Sequence, residues 1–69
     1  MKRTPVVSSN VEGVGYDEPT LTLEVAFNNG SVYQYFDVPK AVHAALMASE
    51  SKGKFLNENI KGVYRYARV

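Results

Sequence analysis

The chain has 69 residues, 45% of them hydrophobic and 22% charged, with five tyrosines, three phenylalanines, one histidine and no cysteine. A chain this short makes one domain with a thin core, because it buries only about 60% of its unfolded surface. Without cysteine there are neither disulfide staples nor thiolate metal sites, and one histidine makes no metal cage, so no metal or other cofactor is expected.

The net charge of +1 hides an asymmetry: residues 1–50 carry three Lys/Arg against six Asp/Glu, whereas residues 51–69 carry Lys52, Lys54, Lys61, Arg65 and Arg68 against Glu58 alone. Such a basic end is either an anion-binding face or a solvated, lysine-rich surface, and charge by itself favours the second. No apolar run is long enough to span a membrane or to act as a secretory signal. A cytoplasmic location and no membrane partner are expected by default.

Residues 1–9 read as a lead-in, with 1–6 a flexible tail or Pro5-Val6-Val7 a short edge segment. Residues 10–16, NVEGVGY, read as a strand bent by its glycines. Asp17-Glu18-Pro19-Thr20 is turn chemistry. In residues 21–27, Leu21, Leu23, Val25 and Phe27 alternate with Thr22, Glu24 and Ala26, the period of a half-buried strand. Asn28-Asn29-Gly30 follows, then SVYQYFDV, so the two runs make a hairpin.

Pro39 ends the third strand and opens a helix through about residue 49, with Val42 and Leu46 on its apolar side and His43 and Met47 on the adjacent line. Ser51 caps a second helix, roughly 52–60, whose apolar side is Phe55, Leu56 and Ile60; Gly62 stops it. The closing VYRYARV alternates again, as a last strand or an extended arm. The expected fold is α+β: a three-stranded antiparallel meander covered by two C-terminal helices, with or without a short closing strand.

The hairpin turn decides where the first Tyr-x-Tyr points. A two-residue Asn29-Gly30 loop sets Val25 opposite Gln34 and leaves Tyr33 and Tyr35 on the outer face as a stacking platform. A three-residue loop sets Val25 opposite Tyr33 and Leu23 opposite Tyr35, turns Gln34 to solvent and leaves Val32 and Phe36 outside. The second register is favoured, because burying an unpartnered amide costs about 1–3 kcal/mol while a tyrosine can bury its ring and keep its hydroxyl at the rim. On that reading Tyr33 and Tyr35 are architectural.

Catalytic chemistry is sparse. His43 has no nearby acid in sequence to orient it and reads as a surface or boundary residue. Gly13-Val14-Gly15 lacks the third glycine and the strand–helix setting of a dinucleotide site. Ser51-Lys52-Gly53-Lys54 reads as a capped helix start with exposed lysines, or more weakly as an anion contact. More informative is the interleaving of Lys61, Tyr64, Arg65, Tyr66 and Arg68, since single-stranded nucleic acid is held by cations tracking phosphates and rings stacking on bases. The alternative is that Tyr64 and Tyr66 seal the core while the arginines reach solvent.

Taken together, Ser8-Ser9-Asn10, Val14-Gly15-Tyr16-Asp17, Tyr33-Gln34-Tyr35, Val38-Pro39 and Ser51-Lys52-Gly53-Lys54-Phe55, with Asn57, Ile60, Tyr64 and Tyr66, resemble the KTSC domain. That module is found at the C-terminus of some lysyl-tRNA synthetases and as a free-standing small protein in bacteria and phages. The resemblance runs from about Val7 to Val69, and the hallmark Tyr-x-Tyr falls on Tyr33 and Tyr35. It implies a module of unknown function with RNA binding suggested by the synthetase context, and it offers no catalytic residue to carry over.

Two functions are therefore expected to compete. One is a non-enzymatic module binding RNA or another polyanion through Lys52, Lys54, Lys61, Arg65 and Arg68, with Tyr64 or Tyr66 stacking. The other is a protein-interaction or homodimerisation module using the outer Val32/Phe36 face or a free sheet edge.

Overall fold

Asn28-Asn29-Gly30 closes the central hairpin as a three-residue loop: Phe27 N–H donates to Ser31 O at 2.8 Å and Gly30 N–H to Phe27 O at 3.0 Å. Gly30 takes φ +91°, a region that side chains disfavour and this loop type requires. The strands it joins therefore pair Leu23 with Tyr35, Glu24 with Gln34, Val25 with Tyr33 and Ala26 with Val32. This is the favoured register, and it buries Tyr35 to 2% exposure.

The computed structural model describes all 69 residues. Its order is β1 (Thr4–Pro5), β2 (Val11–Asp17), a short 3-10 turn (Glu18–Thr20), β3 (Thr22–Phe27), β4 (Val32–Tyr35), α1 (Lys40–Ala48), α2 (Lys52–Asn59) and β5 (Tyr66–Arg68). The sheet has five strands in the order β1-β2-β3-β4-β5, every neighbouring pair antiparallel. The expected α+β class and the two helices hold, but the three-stranded count does not. The closing segment is a strand, adding β5 beside β4, and the lead-in contributes β1, with Thr4 opposite Val14 and Pro5 opposite Gly13.

That first strand explains a second departure. Alternation in β3 predicts a polar, solvated outer face, yet Thr22, Glu24 and Ala26 are all buried. The N-terminal residues lie over this face. Arg3 Nη1 donates to Glu24 Oε2 at 2.6 Å, and Gln34 Nε2 donates to Glu24 Oε1 at 2.9 Å. Gln34 is consequently half-buried rather than turned to solvent, and Val32 and Phe36 are half-buried as well. A side chain on Gly15 would come within 2.7 Å of the Lys2 carbonyl, so the glycine allows this close approach.

The inner face carries Val11, Val14, Leu23, Val25 and Tyr35, packed against Val38, Leu46, Leu56 and Ile60. Ser51 caps α2, its hydroxyl accepting from Lys54 N–H at 3.3 Å. A register shift between Val11 and Gly13 keeps Val11 and Val14 on the core side while Glu12 points outward.

Candidate functional site

Near the β3–β4 turn and β5 the inner face carries half-buried rings packed against the core. There the Tyr33 ring lies between two others: edge-on to Phe27 with centroids 5.8 Å apart, and tilted to Tyr66 at 5.9 Å. Tyr66 also approaches Tyr35, at 6.1 Å, but is itself 64% exposed. The cause is the pairing of β5 with β4, which places Tyr66 opposite Tyr35 and Arg68 opposite Tyr33 on the same face.

Two cations join this row. Lys61, just past α2, holds its ammonium 5.4 Å from the centre of the Phe27 ring, within cation–π range. Arg68 Nη2 donates to Ser31 Oγ at 3.3 Å across the mouth of the hairpin. A shallow hollow of about 200 Å³ lies among Phe27, Asn29, Ser31, Tyr33 and Lys61. Neither Lys61 nor Arg68 pairs with a carboxylate, and both are exposed.

The structure does not gather all the cations named from sequence. Lys52 Nζ donates to the Ser49 carbonyl at 2.5 Å at the start of α2. Lys54 borders a hollow that also contains Glu50 and Glu58. Arg65 alternates to the opposite face, where it pairs with Asp37 at 2.8 Å and lies 5.6 Å from the Phe36 ring. Tyr64 is half-buried against the core. Lys61, Tyr66 and Arg68 are thus brought together, while Lys52, Lys54 and Arg65 stand apart.

Phe27 and Ser31 join the surface without any expectation from sequence, and Tyr33 joins it in the register in which it reads as architectural. A signal for Phe27 existed, because the three-residue loop sets it at the turn end of the hairpin. Its approach to Lys61 is visible only once α2 is docked. Tyr33 was read as architectural; it is half-buried and so serves both the sheet and the ring row. Burial, followed by the neighbouring phenols of Tyr33 and Tyr66, pushes the Tyr35 hydroxyl up from its ordinary value.

His43 stacks on Tyr16 with ring centroids 4.6 Å apart and planes 7° from parallel, and burial pushes its imidazole down. The Tyr16 hydroxyl donates to the Val38 carbonyl at 2.5 Å. The pair braces α1 against β2. No group of three or more His, Cys, Asp or Glu side chains gathers where it could hold a metal ion, and no helix is long and apolar enough to cross a membrane.

The fold and this surface define a small antiparallel α+β domain with an aromatic, basic edge. The KTSC domain model matches residues 7–69, and the chain belongs to that family. It is 40% identical over 70 residues to an uncharacterized protein of Stutzerimonas stutzeri strain A1501, spanning 100% of this chain and 99% of that one. A lysine–tRNA ligase of Nostoc punctiforme is 38% identical over 61 residues, a match that takes in 88% of this chain and 11% of the ligase. The crystal structure of a KTSC domain protein from Yersinia pestis superposes with a TM-score of 0.93 at 38% identity, covering 99% of this chain and 96% of the other.

Proposed function

We propose that this domain is a non-enzymatic module that binds single-stranded RNA through the Phe27–Tyr33–Tyr66 row, with Lys61 and Arg68 meeting the phosphates. The observation that carries the reading is the run of three rings at spacings of 5.8 and 5.9 Å beside two cations without carboxylate partners. Rings accept the π-face of any base, and cations follow the backbone. The likeness to a segment of a lysine–tRNA ligase supports an RNA ligand over other polyanions. Lys52, Lys54 and Arg65 contribute only to the general field.

Titration with short single-stranded RNA at low and at near-physiological salt tests this. Affinity falls steeply with salt as counterions are released, and tyrosine fluorescence changes as bases stack. No binding at low salt overturns it.

One observation favours a second reading, self-association. Val63, Tyr66 and Val69 are each more than 60% exposed near the free edge of β5, and an open edge can accept another strand. The Val32/Phe36 face first considered for this role is half-buried. Sedimentation at increasing concentration decides: a strict monomer removes this reading.

A further inference from the structure

Beside the ring row lies a larger cleft, about 530 Å³, built from three separate segments. One wall is Ser9 and Asn10; the second is Phe27, Asn28 and Asn29; the third is α2 and its exit, with Gly53, Leu56, Asn57 and Lys61. Two of these segments carry family motifs, Ser8-Ser9-Asn10 and Gly53 to Asn57, that the ring row leaves without a role.

The cleft's rim is held by hydrogen bonds. The Ser8 hydroxyl accepts from Asn10 N–H at 3.3 Å and Val11 N–H at 3.2 Å. Asn28 Nδ2 donates to Ser9 O at 3.0 Å, and Asn28 N–H donates to Asn10 O at 2.8 Å. Asn29 Oδ1 accepts from Ser31 N–H at 3.0 Å. Asn28 is tied to the wall through Nδ2 and Asn29 through Oδ1, whereas Asn10 and Asn57 are exposed lining residues whose carboxamides make no hydrogen bond within the chain. Gly53 brings α2 close: a Cβ there would stand 3.2 Å from Asn10 Nδ2.

The chemistry of the lining is narrow. It offers four carboxamides, those of Asn10 and Asn57 wholly unengaged, with a serine hydroxyl, one ammonium, one aromatic ring and one leucine, and no carboxylate. Each carboxamide presents a donor beside an acceptor, the pattern that matches a base edge. Unstacked bases in single-stranded RNA are read in this way, by hydrogen bonds to their edges. Lys61, Phe27 and Asn29 line both the cleft and the hollow of the ring row, so one strand can pass from the row into the cleft.

We infer that the cleft receives one unstacked nucleobase of the bound strand, with Asn10 and Asn57 pairing to its edge and Lys61 on the flanking phosphate. This rests on the RNA reading above and adds base selectivity to it. The ring row tolerates any base, whereas the amide pair prefers some edges to others.

The test uses the full chain with four strands of equal length: oligoadenylate, oligocytidylate, oligouridylate and an abasic ribose-phosphate strand. The wild type is expected to bind one homopolymer more tightly than the rest and to shift the side-chain amide resonances of Asn10 and Asn57 with it, but not with the abasic strand. Asn10→Ala/Asn57→Ala is expected to lose about tenfold in affinity for that homopolymer, to bind all three alike, and to keep its affinity for the abasic strand. Asn57→Ala, at an exposed position, preserves the fold and is expected to lose part of the same preference. Unchanged affinities in these variants, or unmoved amide resonances in the wild type, overturn the cleft and leave the ring row standing. Failure of every strand to bind the wild type removes both.

Discussion

Arg3 and Glu24 meet at 2.6 Å on the outer face of the sheet, an ion pair between the first residues of the chain and the middle of its central strand. The carboxylate is nearly enclosed and the guanidinium is not: their side chains are 8% and 37% exposed. The pair ties the N-terminal segment to the sheet. Its main consequence is one-sided, because Arg3 can return to water whereas Glu24 cannot without moving β1.

Arg3→Ala is therefore expected to destabilise by about 1–3 kcal/mol, the cost of under-partnering a buried polar group. In a domain of this length that is a large part of the total. Adding Glu24→Gln should recover part of the loss, since a neutral amide tolerates the site without Arg3. Urea titrations of the single and double variants measure this. A double variant no better than Arg3→Ala would show that the charge of Glu24 is not what suffers.

The same carboxyl sets the acid response. Burial alone would push Glu24 up, but the hydrogen bonds from Gln34 and Arg3, with the charges of Arg3 and the N-terminus, outweigh it and hold the group below its ordinary 4.5. The unfolded chain then takes up a proton first, so this stabilisation is complete above about 4.5 and is lost as pH falls through the lower folded value. The gap between wild type and Arg3→Ala is expected to close over that range. A gap independent of pH would mean that Arg3 acts by packing alone.

His43 adds an earlier step. Burial against Tyr16 lowers its imidazole below the ordinary 6.5, so the neutral form is the folded form. Stability should be full above about 6.5 and decline as pH falls from there towards the folded value. His43→Phe keeps a stacking ring and is expected to flatten this part of the profile. Thermal melts from neutral to mildly acid pH follow it, and a decline that persists in the variant assigns the titration elsewhere.

Gly15→Ala probes β1. The added methyl would sit 2.7 Å from the Lys2 carbonyl and 3.1 Å from Met1 Cγ and Sδ. Since one obstacle is backbone, the N-terminal segment must lift, at a cost of about 1–3 kcal/mol. Hydrogen exchange at Val6 N–H, bonded to Glu12 O at 3.2 Å, should quicken more than exchange within the β3–β4 hairpin. Equal changes in both would place the strain elsewhere.

The cations separate into two groups for binding. Lys61→Ala and Arg68→Ala are each expected to weaken RNA binding and lower the salt slope by about one. Lys52→Ala and Arg65→Ala should leave the slope nearly unchanged, because Lys52 bonds the Ser49 carbonyl and Arg65 is paired with Asp37 on the other face. A uniform loss across all four would favour a diffuse electrostatic surface over the ring row.

Much of this was legible in the sequence because it is local. The Asn28-Asn29-Gly30 loop and the Ser51 cap each depend on residues a few positions apart, and each took the expected form; the period of two gave a strand, but Leu21 falls outside it, left-handed and 39% exposed, and the outer face is buried. Even the burial of Tyr35 followed from one residue of loop length. What only the tertiary structure decided was the long-range pairing. Glu24 reads as a solvated residue until Arg3 arrives from 21 positions earlier in the chain, and although strand alternation alone already sets Arg65 apart from Arg68, only the docked helix shows Lys61 beside the rings and Lys52 bonded to the Ser49 carbonyl. Local chemistry sets the turn, the cap and the side-chain period; which distant segment covers a face depends on strand pairing and burial across the whole sheet, which no short window of residues contains.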